Sequence, residues 1–177
     1  MTVLSIGFSG PALRAAQPYT VVDTGQAKCY DNRNEISPPK PGQPFYGQEA
    51  QHQGVPPAYQ DNGDGTVTDR ATGLMWSKDD NQKGLNWEQA LAWAQAKNQE
   101  NYLGHKDWRL PNVREMQSLV DYARIPEAAN STNVTTAIHP LFHCTPIIDQ
   151  EGNTDCPYYW TSTSCYHGPD SPDYRFA

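Results

Sequence analysis

Little in this 177-residue chain could build an aliphatic core: Ile, Leu, Val and Phe together supply only 27 residues. With a net charge of −7, so low a share ordinarily marks a disordered chain. The aromatics reverse that reading, because 5 Trp and 10 Tyr each bury a large area and can stand in for missing aliphatics. A folded domain follows, but one rich in loops, since 15 Pro and 13 Gly punctuate it. A basic excess is also missing. An acidic surface gains nothing from a polyanion, which argues against nucleic acid and anionic membranes as partners. No apolar run reaches the roughly 18–20 residues of a spanning helix, so no membrane insertion is expected. Missing too is any CxxC spacing among Cys29, Cys144, Cys156 and Cys165, which lowers zinc and thioredoxin-like readings. Three of these cysteines crowd into the last third beside Pro, Gly and Tyr, as in the disulfide-stapled loops of exported proteins. A bridge between Cys144 and Cys156 is expected, because Pro146, Gly152 and Pro157 let the short loop between them double back. Such a loop closure contributes roughly 3 kcal/mol. Four unpaired thiols in an intracellular chain are the competing reading.

Residues 1–58 hold 8 of the 15 prolines and no helical periodicity. They read as a Pro-rich arm with a short strand at Tyr19–Val22, lying across the main domain through Phe45 and Tyr46. Within it, residues 1–16 resemble a signal-peptide remnant, with an apolar patch at Val3–Phe8 and small residues at Ala15–Ala16, but no basic start. From Tyr59 the texture changes. Asp61–Gly65 is dense turn chemistry, Thr66–Thr68 alternates as a strand should, and Leu74–Trp76 supplies an apolar partner strand for a hairpin. Asn86 then caps a helix from Trp87, with Gln89 at the capping-box position, a buried stripe of Trp87, Ala90, Leu91 and Ala94, and an exit near Gly104.

The most informative stretch is Asp107–Val120. Pro111 forces Leu110 to be extended, Asn112 is a good N-cap, and Glu115 can reach back to the Asn112 N–H. Met116, Leu119 and Val120 recur at i, i+3, i+4. Trp108 and Trp76 are expected in the core, and Arg109 is expected to hold the turn by bonding backbone carbonyls. Residues 123–146 are irregular apart from an apolar filler at Ile138–Phe142, and Tyr158–Thr163 reads as a last strand, with Trp160 on its buried face. Two helices packed on short antiparallel strands make an α+β domain over residues 59–177.

The ordered motifs Asp61–Asn62–Gly63–Asp64–Gly65–Thr66–Val67–Thr68–Asp69, Thr72–Gly73–Leu74–Met75–Trp76, Asp107–Trp108–Arg109–Leu110–Pro111 and Tyr159–Trp160–Thr161–Ser162–Thr163 closely resemble a bacterial domain family of unassigned function. That family includes the C-terminal domain of the Legionella collagen-like adhesin. The resemblance runs from about Tyr59 to Phe176. It implies a scaffold similar to C-type lectins and formylglycine-generating enzymes, and binding to sulfated polysaccharide at cell surfaces. It brings no agreed catalytic residues. The sequence departs from the pattern in stopping at Tyr174–Ala177, so the last strands are expected to be missing or supplied from elsewhere. It also carries Ser37 where related leaders often place a partner for Cys29.

Candidate chemistry is sparse. Asp61, Asn62, Asp64 and Asp69 suggest calcium, but the EF-hand register puts Gln60 first and Ala71 last, where charged oxygens are needed. A hairpin turn accounts for the same residues, and no cofactor is expected. Pro140 keeps His139 and His143 from sharing a helical face, which disfavours a metal site with Cys144. The pair Cys156 and Cys165 admits a thiol-dependent oxidase, yet Asp155, Asp170 and Asp173 would raise a thiol pKa. Aromatic side chains remain. A pyranose stacks on Tyr or Trp while Asp, Asn, Gln or Arg bond its hydroxyls, which singles out Tyr166, Tyr174, Tyr159 and Asp170. That these aromatics are all core is the competing reading.

These readings converge on a non-catalytic recognition module, secreted, periplasmic or surface-bound, that binds a neutral glycan or a cell-surface protein. The acidic charge weighs against sulfated ligands. An oxidase is the alternative, and a structural or oligomerising role comes third, favoured if an edge strand stands open.

Overall fold

The computed structural model describes residues 6–7, 20–124 and 136–164. The strands, in chain order, are β1 (Ile6–Gly7), β2 (Cys29–Tyr30), β3 (Glu35–Ile36), β4 (Tyr59–Asp61), β5 (Thr66–Asp69) and β6 (Leu74–Ser77). Helices α1 (Trp87–Gln99) and α2 (Val113–Gln117) follow, then β7 (Ile147–Ile148) and β8 (Thr154–Asp155). Among the described residues, each of the three sheets pairs its strands antiparallel.

The central sheet runs β1-β6-β5-β4. Its turns follow from Asp and Asn chemistry. Asp61 Oδ1 accepts from the Gly63 N–H at 2.9 Å and Asp64 Oδ1 from the Thr66 N–H at 2.9 Å, closing the β4–β5 turn. Gly65 sits there at φ 89°, beyond the reach of an ordinary side chain. Asp69 closes the β5–β6 turn through the Ala71 N–H and the Thr72 hydroxyl. All four residues of β6 are buried, and Trp76 packs with Val67, Leu74, Leu119 and Phe142 in the larger core cluster. Phe142 comes from the apolar filler, where Ile138 and Leu141 pack beside it.

Helix α1 opens on a full capping box between Asn86 and Gln89. It stops at Gln99, short of the expected exit at Gly104, because Asn101 turns left-handed at φ 52° and Leu103 does so again at φ 50°. Asn98 explains the reversal: its side chain bonds both the N–H and the C=O of Trp108, at 2.6 and 2.7 Å, and draws the chain back along the helix. Trp108, fully buried, adds an indole bond to the Tyr102 carbonyl at 2.8 Å.

Two expectations need correction. Phe45 and Tyr46 do not hold the arm down; both are exposed. The arm is fastened elsewhere, where β1 pairs with β6 and Thr24 O accepts the Tyr122 N–H at 2.7 Å. There Gly25 passes so near Asp121 that a Cβ would lie 2.4 Å from its carboxylate. Nor do residues 158–163 form a strand, since their polar groups are spent on the core of the domain rather than on a ladder. Trp160 Nε1 donates to Leu85 O at 2.7 Å, Trp87 Nε1 to Thr161 O at 3.1 Å, and the Ser162 N–H to Pro111 O at 2.8 Å.

Candidate functional site

The turn at Arg109–Asn112 sets one wall of the site. Asn112 Oδ1 accepts the N–H groups of Arg114 and Glu115, both at 2.9 Å, and Glu115 Oε2 accepts the Asn112 N–H at 2.7 Å. Arg109 bonds the Leu110 carbonyl at 3.1 Å but spends most of its guanidinium elsewhere, gripping both Glu115 oxygens at 2.8 and 2.6 Å. Burial of Glu115 opposes its ionisation, yet the Arg109 and Asn112 donors outweigh it and hold the carboxyl below the ordinary glutamate range. Thr163 completes the wall by accepting the Val113 N–H at 3.0 Å.

Facing α2, residues 156–161 form the opposite wall. Between them lies a cleft of about 280 Å³, lined chiefly by apolar side chains including Val113, Met116, Ile138 and Tyr158. Gln117 is on its rim and donates to the Tyr122 hydroxyl at 3.1 Å. Tyr159, one of its lining residues, is tied to a buried polar knot around Asp80. That carboxylate accepts the Thr145 N–H and hydroxyl, both at 2.7 Å, the Gln82 N–H at 2.9 Å and the Tyr159 hydroxyl at 3.0 Å. The Cys144 thiol lies within bonding reach of the same phenol, and Cys156 lines the same cleft.

Electrostatics here are unfavourable to nucleophilic chemistry. Burial first, then the neighbouring Cys144 and Asp80, push the Tyr159 hydroxyl far above the ordinary phenol range. Burial likewise raises the Cys144 thiol, as do Asp80 and Cys156, while burial and Asp155 raise Cys156. A reactive thiolate needs the opposite setting.

The candidate residues scatter accordingly. Tyr159 faces inward and is tied to Asp80, whereas its neighbour Tyr158, 61 % exposed, stands at the cleft. Tyr166, Tyr174, Asp170 and Cys165 lie outside the described residues. Asp61, Asn62, Asp64 and Asp69 point their oxygens or amides at their own turns and at Lys78 and Ala58. Among the described residues no three His, Cys, Asp or Glu side chains converge as a metal site requires.

The expected Cys144–Cys156 bridge is absent. The β7–β8 hairpin between them supplies the reason. Ile147 pairs with Asp155, so the same register continued would set Cys156 opposite Pro146 and leave Cys144 diagonal to it. Diagonal neighbours are about 7–8 Å apart, wider than the roughly 4.4–6.8 Å between Cα atoms of a disulfide. Sequence reasoning missed the Asp80 knot and the outward face of Tyr158. The knot joins residues 65 and 79 positions apart, beyond any local pattern.

The Lcl C-terminal domain family model matches residues 65–175, taking in β5, both helices and both cleft walls. The chain belongs to that family. An Lcl C-terminal domain is an adhesion-related module, in keeping with a surface or secreted setting and with a surface or host molecule as partner. Among the described residues no helix is long and apolar enough to cross a membrane. Comparison of this Lcl C-terminal domain with curated proteins and with solved structures finds no match.

Proposed function

We propose that the domain is a non-catalytic adhesion module, acting outside the cell, that takes a neutral glycan at the mouth of the cleft, on a C-type-lectin-like scaffold. The observation that carries this reading is the outward ring of Tyr158 beside an apolar cleft. Sugar rings present apolar faces that stack on exposed aromatics, while their hydroxyls seek amide and phenol partners. Gln117 and the exposed Tyr122 supply such partners from the α2 side. The net charge of −7 disfavours sulfated chains. Short antiparallel strands with two helices and long loops support the scaffold assignment.

A protein partner is the second reading. Ile148, 68 % exposed, extends the apolar character beyond the cleft, where a protein would cover it and a sugar would not. A glycan array with the full chain, followed by titration of the hits against Tyr158→Ala, separates the two. Loss of binding with stability unchanged within about 0.5 kcal/mol supports the glycan site. Undiminished glycan binding by Tyr158→Ala, or an array without hits beside a retained protein partner, would overturn it.

A further inference from the structure

Asn62–Gly63 is the only Asn–Gly pair in the chain, and both residues stand exposed in the β4–β5 turn. Such a pair is chemically labile in water, because glycine has no side chain to shield its nitrogen from the neighbouring Asn carbonyl carbon. Here both reacting groups are restrained. The Gly63 N–H donates to Asp61 Oδ1 at 2.9 Å, and the other Asp61 oxygen accepts from Lys78 Nζ at 2.6 Å. The Lys78 ammonium, then the Gly63 N–H, hold this carboxyl below the ordinary aspartate range. A carboxylate facing an N–H opposes loss of that proton, since two anions would then meet. The Asn62 amide is turned onto the sheet instead, where Nδ2 donates to Thr66 Oγ1 at 2.8 Å and to Thr68 Oγ1 at 2.9 Å. Thr66 is free to accept because its own hydroxyl proton goes to Asp64 Oδ1, at 2.6 Å.

We propose that Asn62 is a deamidation site which the folded turn keeps closed, with Asp61 withholding the Gly63 nitrogen and the two threonines withholding the amide. When the guard is lost, hydroxide removes the Gly63 N–H proton and the nitrogen attacks Asn62 Cγ. A C–N bond forms, the Cγ–Nδ2 bond breaks, and Nδ2 takes up a proton and leaves as ammonia. Water then opens the cyclic imide at either carbonyl, giving Asp or isoaspartate. No electrons are exchanged. The isoaspartyl product runs the main chain through the former side-chain carbon. It therefore adds a methylene directly after Asp61, whose pairing with Val67 ends the β4–β5 ladder. Either product puts a carboxylate where the threonine oxygens now receive two N–H bonds.

The test holds the full chain, Asp61→Ala and Gly65→Ala folded in mildly alkaline buffer. Peptide mapping follows residue 62, and wild type in guanidinium chloride sets the unrestrained rate. Gly65→Ala strains the same turn but leaves Asp61 in place, so it separates loss of the guard from general loosening. Folded wild type should react at least about tenfold more slowly than the denatured chain, and Asp61→Ala about tenfold faster than Gly65→Ala, the scale of one charge-assisted hydrogen bond. Lys78→Met, which keeps the Asp61 acceptor but not its anchor, should fall between wild type and Asp61→Ala, and carries the comparison if Asp61→Ala does not fold. Both Asp and isoaspartate should appear, as opening of a cyclic imide requires. Folded wild type reacting as fast as the denatured chain, guard variants no faster than Gly65→Ala, or Asp as the sole product would overturn the proposal.

Discussion

Replacing Arg109 by Ala tests the turn that positions α2. The substitution strips Glu115 of its guanidinium bonds at 2.8 and 2.6 Å and leaves the carboxylate with the Asn112 N–H, at 2.7 Å, as its capping contact. Breaking a fully buried ion pair costs about 3–5 kcal/mol, because one charge is stranded away from water. Glu115 is nearly buried, with a side chain 8 % exposed, but that of Arg109 is 35 % exposed, so solvent already screens part of the attraction. The expected loss is therefore about 2–3 kcal/mol. For a chain of this size that lowers Tm by roughly 4–12 °C. Arg109→Lys should fall between, since an ammonium cannot reproduce the two parallel bonds. Urea denaturation followed by tryptophan fluorescence reads the difference directly. It should also depend on pH. The folded Glu115 carboxyl titrates below a free glutamate, about 4.3. Its contribution is thus complete above that value and fades as pH falls through the lower folded value. The gap between wild type and Arg109→Ala should close on acidification. A loss under about 0.5 kcal/mol at neutral pH, or a gap that does not vary with pH, would show that the pair does not hold the turn.

Two further substitutions probe the walls and the sheet. Asp80→Asn keeps the shape of the knot but turns an NH2 toward donors, and should cost about 2–4 kcal/mol with loosened exchange protection at Thr145, measured by hydrogen exchange and denaturation. Gly65→Ala and Gly63→Ala both strain a left-handed residue, by about 1–2 kcal/mol, but only at Gly65 would the new Cβ meet Leu103, at 2.9 Å. Gly65→Ala should be the more destabilising of the two by thermal melting, and equal losses would show that Leu103 yields freely.

Much of the scaffold was legible in the residues because its causes are local. Both capping boxes join residues three apart, and the Asp–Gly turns between β4, β5 and β6 are closed by side chains bonding two or three positions away. What escaped the reading is non-local. Alternation placed Tyr159 opposite Tyr158 and Trp160 and took the Trp160 face as core, whereas Tyr158 is exposed and Tyr159 is tied inward to Asp80, an acceptor 79 positions earlier. The expected strand over residues 158–163 failed for a related reason: indoles and a proline carbonyl, not a neighbouring strand, take up its polar groups. Arg109 was expected to bond carbonyls alone, because its pairing with Glu115 depends on the bend that Pro111 and Asn112 create between them. The arm shows the limit of aromatic content as a guide. Phe45 and Tyr46 looked like anchors, yet the β1 pairing and the small contacts at Thr24 and Gly25 do the fastening.

The indole anchors have a consequence for how such a domain can diversify. Trp87, Trp108 and Trp160 each donate to a main-chain carbonyl, at 3.1, 2.8 and 2.7 Å, and a carbonyl is present whatever residue carries it. Neither Leu85, Tyr102 nor Thr161 needs its own side chain for the tether to form. The loops between these fixed points, such as residues 81–84 and the β7–β8 turn at 149–153, can therefore change in length and identity without altering the acceptors that the tryptophans require. A frame held by backbone acceptors tolerates rewriting of the surface it supports, and a handful of tryptophans is enough to carry many different recognition faces.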